Sequence, residues 1–196
     1  MKPVGARTSS PLGVEPNLTR AIHDALALCA EESGPPPSEP LDDLFRTLAE
    51  ADDRSSRSEA EDLIWALWCS HADARAARAM RHAIGALSRG DLEAAGRLLD
   101  DLVVAQPDWA EAWNKRATVR FLEGRNAESV DDIVRTLRLE PRHFGALGGL
   151  GQICLRVGDE TGALVAFEYA LRRNPNLDSL REEVARLRPR LLRTLH

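Results

Sequence analysis

The chain has 196 residues, of which 43% are apolar and 29% are charged, the proportions of an ordinary soluble domain. Its formal net charge is −5, so a nucleic acid or an anionic membrane surface has no overall electrostatic support as a partner. No stretch reaches the ~18 consecutive apolar residues of a membrane span. The three cysteines, Cys29, Cys69 and Cys154, are too widely spaced for a CxxC metal pair and favour a reducing compartment.

Residues 1–40 carry few signals of stable structure. Their beginning lacks the apolar segment of a secretory signal, which predicts a cytoplasmic protein, or a periplasmic one if the true start lies upstream. The stretch "SGPPPSEP" at 33–40 predicts a flexible linker, because proline cannot continue a helix. We therefore predict a flexible segment at 1–40, with room for a short helix at 17–32, before a folded domain at 41–196.

A period of 34 residues runs through the rest of the chain. It is marked by one series of glycines and one series of prolines, which are Gly90, Gly124, Gly158, Pro107, Pro141 and Pro175. Glycine readily ends a helix because it adopts the left-handed conformation, and proline cannot continue the next helix. Each unit is therefore predicted to contain a helix, a glycine turn, a second helix and a proline turn.

The predicted helices carry apolar stripes with α-helical spacing. After Asp91, for example, Leu92, Ala95, Leu99 and Leu102 fall on one stripe. Helices of about 14 residues joined by such short connections must run antiparallel to their neighbours. No stretch alternates apolar and polar residues for long enough to be a strand. The sequence therefore predicts an all-α fold.

This pattern resembles the tetratricopeptide repeat family. Its motif has tryptophan at position 4, a small residue at 8, alanine at 20 and 27, a large apolar residue at 24 and proline at 32. The unit at 144–177 matches best, through Gly151, Ala163, Phe167, Ala170 and Pro175. The unit at 110–143 has Trp113 and Ala117 in place, but has Ser129 and Thr136 where the motif has alanine. The segments "WNKRA" and "LEPRHFGALGGLG" are similar to those of small bacterial members.

The resemblance implies antiparallel helix pairs that stack into a short right-handed α-solenoid, because one pair cannot bury its apolar face alone. The expected units are 41–74, 76–109, 110–143 and 144–177, followed by a C-terminal capping helix at 177–195. The first unit is degenerate, since Glu61 and Asp73 break the motif while Trp65 and Trp68 remain in phase. Pro189 is expected to kink the capping helix or to end its first part.

The stretch "GALGGLG" at 145–151 contains four glycines, which raises the question of a phosphate-binding loop. It matches neither G-x-G-x-x-G nor G-x-x-x-x-G-K-[ST], and no Lys-Ser or Lys-Thr follows it. In the repeat register it belongs to an inner helix. Each interior glycine weakens a helix by about 0.5–1 kcal/mol relative to alanine, so a reason is needed. Two explanations stay open, tight helix packing and a recess in the groove floor.

In this family the inner helices line a concave groove, so the resemblance implies a partner-binding surface. The predicted groove residues are Met80, Arg81, Ile84, Leu87, Asn114, Lys115, Thr118, Phe121, Gly145, Gly148, Gly149, Gln152 and Arg156. Such a mixed surface suits a protein or peptide ligand, with an acidic or carboxylate-bearing one as an option. The Lys/Arg clamp that co-chaperone members use at positions 2 and 6 is not matched, because position 2 is Ala77, Glu111 or Gly145.

No catalytic or metal-binding constellation is visible in the sequence. The five histidines form no HExxH pair, and no G-x-S-x-G is present. His82 is expected to pack in the core, and His143 to pack or cap at the start of an inner helix. The sequence therefore predicts a non-enzymatic scaffold without cofactor or metal that binds a protein or peptide in its groove. The alternative is a structural subunit whose repeats mediate self-association, so a homo-oligomer stays open.

Overall fold

A computed structural model describes residues 16–30 and 39–194, and these two ranges contain ten helices and no strand. The helices are α1 (Pro16–Ala30), α2 (Glu39–Glu50), α3 (Arg54–Trp68), α4 (Ala74–Ser88), α5 (Leu92–Ala105), α6 (Ala110–Leu122), α7 (Asn126–Leu139), α8 (Phe144–Arg156), α9 (Glu160–Arg173) and α10 (Asp178–Thr194). From α4 to α10, successive helices pack on one another as in a helical repeat solenoid. The predicted all-α repeat architecture is therefore confirmed.

Three helix pairs, α4–α5, α6–α7 and α8–α9, repeat with the predicted turns. Gly90, Gly124 and Gly158 have φ of 74°, 79° and 82°, a left-handed conformation that disfavours any side chain. Asp91 and Asp159 follow two of these turns, and each accepts a hydrogen bond from the backbone N–H three residues further on. Because these caps satisfy free N–H groups, the local sequence suffices to end one helix and begin the next.

The three pairs are arranged in two layers, with two neighbouring apolar clusters between the layers. Helix α6 contacts both α4 and α8, so the first helices of the pairs line one concave face, and α5, α7 and α9 form the outer layer. Phe167 of α9 is fully buried between the layers. A Cβ at Gly151 would overlap its ring, so glycine is required there by close helix packing.

Helix α1 packs on the outer layer, against α7 and α9. Its buried residues Leu18, Ile22, Ala25 and Cys29 belong to the same apolar cluster as the core of these helices. The predicted flexibility therefore does not extend to residues 16–30, because their apolar stripe is buried. The rest of the predicted flexible segment, at 1–15 and 31–38, lies outside the described residues.

Helices α2 and α3 form an antiparallel pair, which we call the hairpin, but it differs from the predicted first repeat unit. Its apolar side packs on Phe144 at the start of α8, through Leu41, Leu48, Ile64 and Trp68. The apolar cluster of α4 and α5 includes none of the hairpin's side chains. Trp68, which stands where the motif has alanine, packs on His143 and Phe144 at the start of α8. The hairpin lies across the concave face instead.

Helix α10 covers the C-terminal end of the solenoid, as predicted for a cap. Val184 and Leu187 are buried against the α8–α9 pair. The helix continues through Pro189 to Thr194, so the expectation that proline ends its first part is wrong. Pro189 is exposed near the end of the helix, where the loss of one backbone hydrogen bond is tolerated.

Candidate ligand-binding groove

One recess in the concave face brings together six of the predicted groove residues. It has a volume of about 200 Å³ and lies between α6 and α8. Its lining residues are Asn114, Ala117, Thr118, Phe121, Ser129, Ile133, Gly145, Gly149 and Gln152. Arg156 stands beside it, with its guanidinium carbon 3.4 Å from the centroid of the Phe121 ring and its Nη1 donating to the Phe121 carbonyl at 2.5 Å.

The four glycines of "GALGGLG" have different surroundings. Of the two explanations left open by the sequence, tight helix packing holds at some positions and a recess in the groove floor at another. Gly151 is a packing residue against Phe167. A Cβ at Gly148 would come 3.3 Å from Leu180 of the capping helix, so this position faces α10 and not the groove. A Cβ at Gly149 would meet only Ile133, at 3.7 Å, which leaves space for a larger side chain toward the recess.

The predicted groove residues of α4 do not reach the recess. Met80 is fully buried in the core beneath α4, so its prediction as a ligand contact is wrong. Ile84 and Leu87 are partly buried against the same core, and Arg81 is exposed. Met80 is buried because it lies on the same side of α4 as Ala76 and Ala83, which pack in that core.

Lys115 is not free to bind a ligand. Its Nζ lies 2.9 Å from Oε1 of Glu111, one turn earlier in α6, and 5.0 Å from the ring centroid of Trp65 in the hairpin. The ammonium group is therefore already neutralised by a carboxylate and covered by an indole. Of the predicted cations near the recess, Arg156 is the one whose side chain is exposed.

A buried polar cluster at Glu111 was not predicted. Its Oε2 accepts hydrogen bonds from Asn114 Nδ2 at 2.8 Å and from His143 Nε2 at 2.9 Å, and both Glu111 and His143 are completely buried. His143 Nδ1 accepts from the Ala146 N–H and so caps α8, which leaves the ring proton on Nε2 to donate to Glu111. The sequence signal for this cluster was Glu111 itself, an acidic residue between Ala110 and Ala112 at position 2 of an inner helix.

The cluster sets the ionisation of its members. Burial by itself raises the pKa of Glu111, but hydrogen bonds from His143 and Lys115, with the Lys115 charge, hold it at about 2. Burial and the Glu111 carboxylate raise the pKa of the Cys69 thiol to about 11, so this thiol stays protonated and donates to Glu111 Oε1 at 3.5 Å. Glu111 is therefore an ionised, fully bonded group and not a poised acid or base.

Aromatic side chains of the hairpin cover this cluster. The Trp68 ring stacks on His143 with centroids 4.0 Å apart and an interplanar angle of 11°. Trp65 meets Phe144 edge-on at 5.2 Å. A Cβ at Gly145 would lie 2.5 Å from Cη2 of Trp65, so glycine is required at that position too. We call the surface formed by Lys115, His143, Phe144 and Gly145 the hairpin site.

A larger depression, of about 490 Å³, lies at the free edge of the α4–α5 pair. It is lined by Asp73, Arg75, Ala76, Ala79, Leu98, Asp101, Leu102, Ala105 and Gln106. None of these is a predicted groove residue. This is the edge on which a first repeat unit would have stacked, so the depression follows from the hairpin's displacement and is not our candidate site.

Metal-binding and membrane-spanning features are absent from the part of the chain that the structure describes. Within 16–30 and 39–194, no group of three or more histidine, cysteine, aspartate or glutamate side chains could hold a metal ion. In the same ranges no helix is both long enough and apolar enough to cross a membrane. His82 is exposed and not packed in the core as expected, because the core side of α4 is formed by Met80, Ala83 and Ala86.

Comparison with known proteins agrees with the fold and the repeat. No family model matches the chain. A TPR repeat-containing protein of Rhizobium etli is 34% identical over 155 residues, which cover 79% of this chain and 76% of that protein. The chain therefore belongs to the tetratricopeptide repeat proteins. Proteins of this class serve in general as protein–protein interaction scaffolds and are generally not enzymes.

Proposed function

We propose that the chain is a non-catalytic scaffold that binds a peptide segment of a partner protein in the recess between α6 and α8. The observation that supports this proposal is the recess itself, because glycine at 149 opens space on a concave face where most helices carry a side chain. Membership of a class of interaction scaffolds supports the general proposal, and the recess supports the choice of this binding place.

The chemistry of the recess favours an aliphatic anchor. Its walls are mainly apolar, with Ala117, Phe121 and Ile133 among them, and a volume of about 200 Å³ suits one branched aliphatic side chain. Asn114 uses its amide nitrogen for Glu111, which leaves its carbonyl oxygen as an acceptor for a ligand N–H. The exposed Arg156 at the edge supplies the cation for a ligand carboxylate, a role that the sequence had also given to Lys115.

We expect Gly149→Leu to weaken peptide binding by at least about tenfold, or ~1.4 kcal/mol, because the leucine side chain occupies the recess. The test selects binding peptides from a displayed random library on the wild-type chain and measures their affinities by fluorescence anisotropy. Gly149→Ala is the matched control, since it adds the same helix preference but leaves most of the recess open. Both variants should melt no lower than the wild type. Equal affinity for the wild type and Gly149→Leu, or a selection that enriches no peptide, would contradict the proposal.

Self-association through the repeats is the alternative function. Light scattering at micromolar concentration distinguishes the peptide-binding scaffold from the self-associating subunit, because the scaffold is expected to be a monomer with an accessible recess. A stable dimer that no longer binds the selected peptides would favour the structural subunit. Among the described residues, the exposed large apolar side chains are one neighbouring pair on α3, Leu63 and Leu67, and three on separate helices, Val104, Leu122 and Leu192. Two neighbouring leucines do not form the continuous patch that a stable interface needs.

A further inference from the structure

The hairpin occupies part of the concave face on which a ligand of this class would bind. Its α3 helix lies over the N-terminal ends of α6 and α8, where Trp109 Nε1 donates to the Trp68 carbonyl at 2.7 Å. Gly145 belongs both to the hairpin site, against Trp65, and to the lining of the open recess. The covered and the open parts of the groove are therefore continuous, and a segment of this chain fills one of them.

The contacts of the hairpin are those of a ligand that carries two aromatic anchors. Trp65 and Trp68 are three residues apart on α3, so they lie on the same side of the helix. Trp68 is buried on His143, and Trp65 packs on Phe144 and Lys115. Aromatic anchors in preformed pockets give most of the binding energy of many interfaces.

Apart from its apolar packing on Phe144 and the Trp109–Trp68 hydrogen bond, the hairpin is joined to the solenoid by ion pairs. Two ion pairs join its ends to the solenoid, Asp42 with Arg142 at 2.7 Å and Arg54 with Asp178 at 2.5 Å. The second pair is largely exposed, and such pairs contribute little. Trp68 Nε1 is buried and has no hydrogen-bond partner among the described residues, which costs stability. The hairpin is therefore held mainly by apolar and aromatic packing, in which Trp65 and Trp68 are the largest side chains, and the buried Trp68 N–H is left without a partner.

We propose that the hairpin is a built-in occupant of the groove that a partner helix with two aromatic residues three positions apart displaces. This inference extends the proposed function, since it assumes that the same concave face receives the partner. The hairpin itself shows what the site accepts: two aromatic rings on one side of a helix and a carboxylate near Arg142, as Asp42 provides. A partner must compete with an occupant on the same chain, whose effective concentration is on the order of millimolar.

The test offers the hairpin's own helix to the protein from outside. The probe is a fluorescent peptide of residues 53–68, "DRSSRSEAEDLIWALW", which includes both tryptophans. The full chain with Trp65→Ala and Trp68→Ala loses its anchors and exposes the hairpin site. We expect this double variant to bind the peptide at least tenfold more tightly than the wild type does. A peptide with both tryptophans replaced by alanine should bind neither protein.

Leu63→Ala with Leu67→Ala is the matched control in the chain, because these two leucines are exposed on the other side of α3. This variant keeps the occupant in place, so it should bind the peptide as weakly as the wild type. Hydrogen exchange of the double tryptophan variant with bound peptide should show new protection at 111–121 and 143–150, on the two helices of the hairpin site.

Equal peptide affinity of the wild type and the double tryptophan variant would overturn the inference, as would binding of the tryptophan-free peptide. A double variant whose α6–α9 helices retain slow hydrogen exchange is folded, and absence of peptide binding to it would also overturn the inference. If those helices lose protection, the milder single variant Trp65→Ala takes the place of the double variant, because it removes one anchor and leaves Trp68 stacked on His143, and peptide binding above the wild type is then expected. Binding of the peptides selected for the recess does not depend on Trp65 or Trp68, because neither side chain lines the recess. A negative result for the hairpin therefore leaves the proposed function untouched, and the reverse also holds.

Discussion

Replacing Phe167 by alanine should lower the free energy of unfolding by about 3–5 kcal/mol. The side chain is completely buried in the largest apolar cluster, where the rings and chains of α7, α8, α9 and α10 meet. Its removal deletes the apolar contacts of a whole ring and leaves a cavity that the neighbouring helices close only in part. Urea denaturation followed by circular dichroism measures the loss.

Two further variants make this prediction sharper. Val104→Ala is the control, because Val104 is 81% exposed on α5 and should change stability by no more than about 0.5 kcal/mol. Gly151→Ala alone should destabilise the protein, since the added Cβ overlaps the Phe167 ring. In the Phe167→Ala background the same change should be tolerated, which gives a strong coupling energy in a double-mutant cycle. Additive effects of the two changes would show that this helix crossing is not as described.

Replacing Glu111 by alanine should also cost about 3–5 kcal/mol, the range measured when one partner of a buried ion pair is removed. The change leaves Lys115 without its carboxylate, and leaves the amide of Asn114 and the Nε2–H of His143 without an acceptor. Glu93→Ala is the control, because the Glu93–Arg97 pair is exposed on α5 and contributes little. Thermal and urea unfolding of both variants give the comparison. A loss below about 1 kcal/mol for Glu111→Ala would contradict the cluster.

The same carboxylate gives the protein a defined pH dependence. Its pKa is about 2 in the folded state, below the ~4.3 of an unfolded glutamate, so the unfolded state binds more protons between these values. Its contribution is therefore complete above about pH 4.5 and decreases as the pH falls toward 2. Unfolding free energies from pH 2.5 to 5.5 should diverge between the wild type and Glu111→Gln as the pH rises through this window. Parallel curves would show that the folded pKa is not depressed.

The repeat could be predicted because its signals are local. Gly90, Gly124 and Gly158 end helices by their own conformational freedom, and the apolar stripes between them need only the geometry of one helix. The small residue at 151 opposite a large one at 167 followed from the motif, and the structure shows the two in contact. These features depend on neighbours within about one unit, so a single sequence contains enough information for them.

The groove was predicted less well because the side chains that line and fill it come from distant parts of the chain. The inner helices were assigned, and six predicted residues meet at one recess. Met80 and Gly148 were placed on the wrong side, since a register shared by all units ignores how α4 and α10 end the solenoid. The pair Glu111–His143 joins opposite ends of the 110–143 unit, and no periodic rule predicts a partner outside the motif.

The sequence by itself determined the fold class, the repeat length and the helices, because helix formation and helix termination are decided by residues that are near one another in the chain. Only the tertiary structure decided that α1 covers the outer layer and that the hairpin lies in the groove. Trp65 and Gly145 are 80 positions apart, and their contact depends on which apolar surfaces remain after the repeats have packed. That outcome is a competition between whole surfaces for burial, and it places Trp68 on His143 and not against α4 and α5.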